Sequence, residues 1–319
     1  MENKENNFVS AVIYVHNAEK RIGDFLETII GIMEAYFQHS EIICVNDSSE
    51  DNSLTIIKRV GQKAVSASVT VINMSYFHGL ELAMNAGLDM TIGDFVFEFD
   101  NTYLDFDPAA VMMIYSHSLK GYDIVSASAD RKERFTSKLF YQVFARYSDI
   151  SYKMSTESFR VLSRRAINRI SSMNKTTPYR KVLYANCGLK SDNLKYTAVH
   201  NIPIVTNKKE KEFRVELAAD SLILFTRIGY SFARSMMILM MLMSVLVTLY
   251  SVAVYTTAHP VAGWTTTILF LSIAFFGLFG VLTIVIKYLQ LLVNLVFKRK
   301  HYSFESIEKL TKDQEVETK

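Results

Sequence analysis

Residues 94–108, DFVFEFDNTYLDFDP, form an apolar run that ends in acid and is followed by a turn and a proline. The run is rich in Phe and Val, a composition typical of a buried β-strand. Asp100, Asp105 and Asp107 then place three carboxylates close together in the sequence. Two interpretations are open: a site for a metal ion and a phosphate, or a strand end followed by a polar loop.

Similar apolar runs recur between residues 9 and 128. The strand candidates are Val9–Val15, Glu41–Asp47, Val69–Met74, Asp94–Asp100 and Asp123–Ser128. The segments between them, 19–38, 51–65, 79–91 and 108–120, have the pattern of helices. Strands that alternate with helices predict an α/β fold, with a mainly parallel sheet and helices on both of its faces.

Polar residues cluster where these strands are expected to end. They are Asn17, the group Asn46–Ser49, Ser75 and the group Asp100–Thr102. Open α/β sheets bind ligands beyond the carboxyl ends of their strands, so this placement predicts a binding site. For Ser48–Ser53 a second interpretation stands beside it, because the same residues would make a good N-terminal cap for the following helix.

The window from Ser235 to Ile286 contains no Asp, Glu, Lys or Arg, although charged residues make up 21% of the chain. Its two apolar segments, 235–255 and 264–286, are each about the 20 residues that a helix needs to cross a bilayer. The alternative is a pair of buried helices in a soluble core. Lys and Arg flank the pair but are missing from its short connection, which predicts that both ends are cytoplasmic.

The other segments complete a predicted domain organisation. Residues 1–212 form the α/β domain, 213–234 an amphipathic helix at the membrane interface, and 235–297 the two membrane helices with a cytoplasmic extension. Residues 298–319 form a charged cytoplasmic tail, expected from Glu305 onward to be a solvated helix or a disordered end.

Several function classes are disfavoured by what the sequence lacks. The seven histidines show no zinc-ligand spacing, and there is no G-x-G-x-x-G or Walker loop. The net charge of +3 gives no indication of nucleic-acid binding, and none is expected. Two uncharged membrane helices offer no polar path, which disfavours a transporter or channel. An acidic strand end with basic residues downstream instead suits a nucleoside-diphosphate ligand and a hard cation.

Six segments carry a family resemblance that runs from about Val9 to Tyr302. They are VIYVHNAEKRI, EIICVNDSSEDNSL, GLELAMNAGLDMTIGDFVFEFDN, TSKLFYQVF, FRVLSRRAI and KYLQLLVNLVFKRKHY. The sequence resembles the family-2 glycosyltransferases, and within them the bacterial polyprenyl-phosphate, or dolichol-phosphate mannosyltransferase-like, sugar transferases. The resemblance implies a GT-A-like fold followed by the interfacial helix and a transmembrane hairpin.

The resemblance also implies roles for individual residues. The nucleotide-binding set is Tyr14, His16, Asn17, Asn46, Asp47, Ser75, Asp100 and Asn101. Asp100 and Thr102 would bind Mg²⁺ or Mn²⁺, and the catalytic set is Asp100, Ser158, Arg160 and Arg131. The family's D-x-D-x-Q cluster reads Asp100, Thr102 and Leu104 here, so only its first ligand stays a carboxylate. Its G-D-F-R motif has become Glu157–Arg160, with a serine in place of the aspartate.

We therefore expect a membrane-bound, inverting glycosyltransferase that moves a sugar from a nucleotide sugar to polyprenyl (undecaprenyl) phosphate. The alternative is a catalytically impaired homologue that binds nucleotide or lipid phosphate, or that supports a partner glycosyltransferase or flippase. Membrane lipids are expected partners, and a homo-oligomer such as a tetramer is plausible by resemblance. The expected location is the inner or cytoplasmic membrane, with several spans and the catalytic domain in the cytoplasm.

Overall fold

The computed structural model of the chain describes residues 4–130, 157–172, 180–199, 263–297 and 302–311, with scattered positions between 232 and 246. These residues fall into two compact units. The first contains the described residues up to 199 together with 302–311, and the second contains those between 232 and 297.

The first unit alternates strands and helices as the apolar runs predict. Its strands are β1 Glu5–Val15, β2 Phe37–Asn46, β3 Ser68–Met74, β4 Phe95–Phe99, β5 Ile124–Ala129, β6 Phe159–Ser163, β7 Ser191–Tyr196 and β8 Phe304–Lys309. Its helices are α1 Ile22–Tyr36, α2 Ser53–Gly61, α3 Leu80–Asp89, α4 Pro108–Ser118, α5 Arg164–Ser172 and α6 Arg180–Asn186. The second unit contains α7, Gly263–Phe297.

All eight strands form one sheet in the order β7-β5-β6-β4-β1-β2-β3-β8. The four strands β3, β2, β1 and β4 are mutually parallel, and β7 is parallel to β5. The strand β6 runs antiparallel between β4 and β5, and β8 runs antiparallel along β3. The predicted α/β class is confirmed, and the parallel strands carry the polar ends described above.

Helices cover both faces of this sheet because successive residues of each buried strand point to opposite sides. Val9, Ala11 and Ile13 of β1 pack in the cluster that contains α1, α2 and α4. Val12 and Tyr14 pack in the second cluster, with α3, α5 and α6. The α3 helix lies so close to the sheet that a Cβ atom on Gly87 would clash with side-chain carbons of Val12 and Val45.

The tail expected to be a solvated helix or a disordered end from Glu305 onward instead contains most of β8, so that prediction is wrong for residues 305–309. The segment is held by its ladder with β3 and by side-chain contacts. Ser306 accepts a hydrogen bond from Asn73 at 2.8 Å, and Glu308 pairs with Lys58 at 2.7 Å. An edge strand gains its stability from such pairing, so a charged sequence can form one.

The second predicted membrane segment, 264–286, lies inside α7, a continuous helix of 35 residues. A Cβ atom added to Gly277 would come within 2.7 Å of the Met240 sulfur, so α7 packs closely against this residue of the same unit. Among the residues that the structure describes, none of the helices combines the length and apolarity required to span a bilayer. The predicted interfacial helix 213–234 and first segment 235–255 lie largely outside the described residues.

Candidate active site

The carboxyl ends of β1, β2 and β4 lie at one edge of the sheet and bring predicted site residues together. Asn17 follows β1 and Ser48 follows β2, both with left-handed backbone, at φ 46° and 51°. The Asn17 side chain accepts a hydrogen bond from the Glu50 N–H at 2.8 Å, and the Asn17 N–H donates to the Ser49 hydroxyl at 3.1 Å. These bonds join the two turns at the position where open α/β sheets bind ligands.

Asp47, predicted to contact the nucleoside, is fully buried and binds protein groups through both oxygens. Its Oδ1 accepts from the His78 N–H, and its Oδ2 accepts from the Gly79 N–H and the Tyr14 hydroxyl, at 2.8 to 3.0 Å. Burial raises the pKa of Asp47, and these hydrogen bonds offset only part of that rise. Asp47 therefore ties the end of β2 to the start of α3, where Gly79 has φ 80°.

Asn46 lies beside Asp47 and keeps an acceptor free. Its amide nitrogen donates a hydrogen bond to Asn73 Oδ1 at 3.0 Å. Its own Oδ1 is buried and has no hydrogen-bond partner among the described residues. An unsatisfied buried acceptor costs roughly 1–3 kcal/mol, which a ligand N–H group would recover. His16, whose Nδ1 lies 2.7 Å from the Asp47 carbonyl, and exposed Ser75 complete this part of the site.

Asp100 leaves the end of β4 and enters a buried ionic cluster, the Asp100 network. Four carboxylates, three cations and one phenol form it: Glu81, Glu98, Asp100, Glu157, Arg160, Arg180, Lys181 and Tyr184. Asp100 Oδ2 accepts from Arg160 at 2.6 Å, and Asp100 Oδ1 accepts from Arg180 at 2.7 Å. Glu98 binds the same two guanidinium groups at 2.5 and 2.8 Å.

The opposite charges of this network keep its buried side chains ionised. Burial alone would raise the pKa of Asp100, but the charges of Arg160 and Arg180 overcome that effect and hold it well below its usual range. Burial likewise opposes the charged form of both arginines, yet their carboxylate partners raise the pKa of each above its ordinary value. Asp100 is therefore an anion whose two oxygens both already bind cations.

Thr102, the second predicted metal ligand, is buried and faces a cation of the chain. Arg21 donates from Nε to the Thr102 hydroxyl at 3.4 Å and from a terminal nitrogen to the Tyr103 hydroxyl at 3.0 Å. The guanidinium carbon of Arg21 lies 4.2 Å from the centre of the Tyr103 ring, a cation–π contact. Asn101 accepts a hydrogen bond from the Tyr103 N–H and so shapes the turn that carries these groups.

Ser158 lies directly before β6 in a hydrogen-bonded chain with Tyr196 and Asp105. The Tyr196 hydroxyl is 2.6 Å from the Ser158 hydroxyl and 2.9 Å from Asp105 Oδ1. A carboxylate only accepts, so the phenol donates to Asp105 and accepts from Ser158. Asp107 instead caps α4 through the Ala109 N–H, so the carboxylates of residues 94–108 do not form one site.

The comparison with known families follows from this geometry. The family model described as Glycosyl transferase family 2 matches residues 10–171, which run from within β1 through β6 and include the polar strand ends. The chain belongs to glycosyltransferase family 2. It is 29% identical over 188 residues to an uncharacterized glycosyltransferase of Synechocystis sp., covering 57% of this chain and 58% of that protein.

A second family member is the bactoprenol glucosyl transferase of Shigella phage SfX, 29% identical over 202 residues, with 61% of this chain and 65% of that protein covered. The chain thus spans less than two thirds of the length of these relatives. Among solved structures, mannosyl-3-phosphoglycerate synthase from Rubrobacter xylanophilus matches with TM-score 0.46 and 18% identity, covering 68% of this chain and 74% of that one.

The expected divalent cation can be tested against the residues present. Asp100 gives both oxygens to arginines, Thr102 accepts from Arg21, and Leu104 carries no ligand atom. Within the part of the chain that the structure describes, no three His, Cys, Asp or Glu side chains are grouped as metal ligands. Three guanidinium groups thus border the oxygens of Asp100 and Thr102, and this arrangement does not fit Mg²⁺ or Mn²⁺, because a metal cation bound there would be repelled.

The structure assigns other contacts to the remaining predicted residues and adds some that were not predicted. Arg160 is nearly fully buried and binds three carboxylates, so it lies beneath the site rather than facing a ligand. Arg131 lies outside the described residues. Arg21 and Arg180 were missed. Arg21 could have been predicted, because it is a cation shortly after the polar turn that follows β1. The sequence around Arg180 has no feature that would have predicted its role.

Proposed function

We propose that the chain is a membrane-bound, inverting glycosyltransferase that transfers a sugar from a nucleoside-diphosphate sugar to polyprenyl phosphate. The observation that carries this proposal is the family-2 match across residues 10–171. The relative from Shigella phage SfX, named a bactoprenol glucosyl transferase, supports a polyprenyl acceptor.

The end of β2 supports binding of the nucleoside. Asn46 Oδ1 is buried and accepts no hydrogen bond from the described residues, so it is suited to an N–H group of a base. Asp47 acts indirectly, because its hydrogen bonds to His78 and Gly79 fix the neighbouring loop. Loss of one such base contact, worth about 1 kcal/mol, would weaken nucleotide binding roughly fivefold to tenfold.

The reaction requires little proton transfer from the protein. A phosphate oxygen of the acceptor forms a bond to the anomeric carbon, while the bond from that carbon to the diphosphate breaks on the opposite face. Phosphomonoesters lose their second proton near pH 6, so the acceptor arrives mostly as the dianion. A serine at position 158 is consistent with this, because the nucleophile has no proton that a base must remove.

A lipid acceptor agrees with the surface of α7. Its described exposed large apolar side chains recur every three or four residues, which places them along one helical face. They are Leu271, Phe275, Leu278, Leu282, Val285, Ile286, Leu289 and Leu292. A long apolar face needs a partner, and the uncharged window 235–286 favours lipid. We propose the cytoplasmic membrane as the location, with the first unit in the cytoplasm.

A second candidate function is a non-catalytic homologue that binds nucleotide or lipid phosphate. The observation that favours it is Asp100, whose oxygens are both held by arginines instead of being open to a ligand. Such a protein would bind a nucleoside diphosphate without transferring sugar, which separates it experimentally from the enzyme.

The test uses the full chain in proteoliposomes containing polyprenyl phosphate, with a panel of radiolabelled nucleotide sugars, in Mn²⁺ and in EDTA. An enzyme gives label in the lipid phase from at least one donor. Nucleotide binding by calorimetry without transfer would support the second candidate, and absence of both would refute the two together. Asn46→Ala should weaken nucleotide binding, whereas Gln62→Ala, at an exposed position after α2, should leave it unchanged.

A further inference from the structure

We propose that Arg21, rather than a divalent cation, neutralises the diphosphate of the donor in this site. This inference rests on the proposed function, because it concerns how the same site binds a nucleoside diphosphate. It follows from three features of the described residues: the engagement of Asp100, the neighbour of Thr102, and the free hydrogen-bonding capacity of Arg21.

Asp100 is poorly placed to bind a metal ion. Its two oxygens accept charge-assisted hydrogen bonds from Arg160 and Arg180, and each of those arginines also binds Glu98. These bonds take two of the four lone-pair sites of the carboxylate, so a metal cation at a remaining site would lie close to two nearly fully buried guanidinium groups. Like charges repel strongly in a low-dielectric interior, and this repulsion disfavours a metal ion at Asp100.

The second ligand position is occupied by a cation of the chain itself. Thr102 accepts a hydrogen bond from Arg21 Nε, so a guanidinium group lies where the family resemblance puts the metal. The face of this group packs on the Tyr103 ring, and one terminal N–H donates to the Tyr103 hydroxyl. These contacts fix the guanidinium group in one orientation.

Arg21 also has the capacity to bind a phosphate. A guanidinium group has five N–H donors, and the hydrogen bonds to Thr102 and Tyr103 account for two of them. Within the described part of the chain, no carboxylate lies within ion-pair distance of Arg21, and its side chain is partly exposed. Arginine binds phosphate oxygens with two parallel N–H groups, so the remaining donors suit a diphosphate.

The described charges of the neighbouring network favour such a cation. The described members of the Asp100 network are four carboxylates and three cations, which sum to a formal charge of −1. An anionic diphosphate beside it would be repelled unless positive charge lay between them. Arg21 contacts Thr102, which stands two residues after Asp100. Its guanidinium group supplies positive charge at this position without a metal ion.

The test is calorimetric binding of UDP, GDP, CDP and dTDP to the full chain in detergent micelles, with EDTA or with MnCl₂. The preferred nucleotide should bind with affinities that differ by no more than about twofold between the two conditions. Arg21→Gln should weaken binding about 10- to 100-fold in both, the loss expected for one charged hydrogen-bonding group. Arg21→Lys should recover part of the loss, and Lys20→Gln, at the adjacent exposed cation, should change nothing.

A gain-of-dependence variant completes the design. Arg21→Gln combined with Thr102→Asp removes the cation and supplies a second carboxylate, so Mn²⁺ should now tighten binding about tenfold. Binding by the unsubstituted chain that disappears in EDTA would overturn the inference and leave the proposed function standing. Unchanged binding by Arg21→Gln, with an unaltered circular dichroism spectrum, would also overturn it. Absence of nucleotide binding in either condition would refute the proposed function as well.

Discussion

Arg180 holds the Asp100 network together through three ion pairs, and replacing it with methionine should strongly destabilise the chain. Its guanidinium group binds Glu81 and Glu98 at 2.8 Å and Asp100 at 2.7 Å. Arg180→Met keeps most of the side-chain volume but leaves four carboxylates and two cations among the described members of the network. Breaking a buried ion pair by removing one partner costs about 3–5 kcal/mol.

That cost sets the expected change in thermal unfolding. A domain of this size loses roughly 2–4 °C of unfolding midpoint per kcal/mol, so the midpoint should fall by roughly 6–20 °C. The measurement is circular dichroism of the full chain in detergent during heating. Lys63→Met is the control, because the Lys63 side chain pairs with Glu27 and both side chains are more than half exposed, at 63% and 53%. Exposed pairs contribute little, so this variant should unfold with the unsubstituted chain.

A second substitution tests whether an unpaired buried carboxylate causes the loss of stability in Arg180→Met. Glu81 binds Arg180 through both the backbone N–H and the guanidinium Nε, so Arg180→Met leaves its buried carboxylate without that cation. Adding Glu81→Gln should recover part of the lost stability, giving a coupling of about 0.5–3 kcal/mol. If Arg180→Met unfolded at the same temperature as Lys63→Met, the reasoning about buried charge would be refuted.

Three further predictions concern packing, pH and thiol reactivity. Gly87→Ala should destabilise the chain by about 1–3 kcal/mol because the added Cβ atom has no room. Gly31→Ala, where the added Cβ atom meets open space in α1, should stabilise the chain by about 0.5–1 kcal/mol. Equal denaturant midpoints for the two variants would contradict this. Because the pKa of Asp100 is lowered in the folded chain, its contribution to stability is complete above about pH 4 and is lost as pH falls through the lowered pKa. The unfolding free energy of Asp100→Asn should therefore depend less steeply on pH in acid than that of the unsubstituted chain. Parallel curves of unfolding free energy against pH would contradict this. Burial raises the pKa of the Cys44 thiol to about 12 and also raises the pKa of the Cys187 thiol. Neither thiol should therefore react with a disulfide reagent at pH 8 until the chain unfolds. Rapid reaction of either thiol in the folded chain would contradict this.

The strands of the parallel sheet could be predicted because each is an apolar run with a clear end. The same reasoning placed the polar strand ends at one edge of the sheet, since parallel strands bring their carboxyl ends together, and ligand binding at that edge stays a prediction. The β8 strand could not be found in this way. Its exposed and half-buried residues alternate without an apolar face, and its partner β3 lies more than 200 positions earlier in the chain. Its stability comes from the ladder, which only the fold creates.

The chemistry of the site was harder to predict than its place. Asp100 was identified from its position at a strand end, and a lone carboxylate there suggests a metal ligand. Its real partners, Arg160 and Arg180, are 60 and 80 positions away and come from β6 and the start of α6. No local pattern links these three residues. Thr102 was recognised as a departure from the family, but its contact with Arg21 depends on how the turns after β1 and β4 meet.

The most direct test is a structure of the full chain with its preferred nucleoside diphosphate in the presence of MnCl₂. The account predicts a diphosphate beside Arg21 at the ends of β1 and β4, with Asp100 still held by Arg160 and Arg180. A Mn²⁺ ion bound to Asp100, with the two arginines moved away and Arg21 turned from the diphosphate, would contradict it.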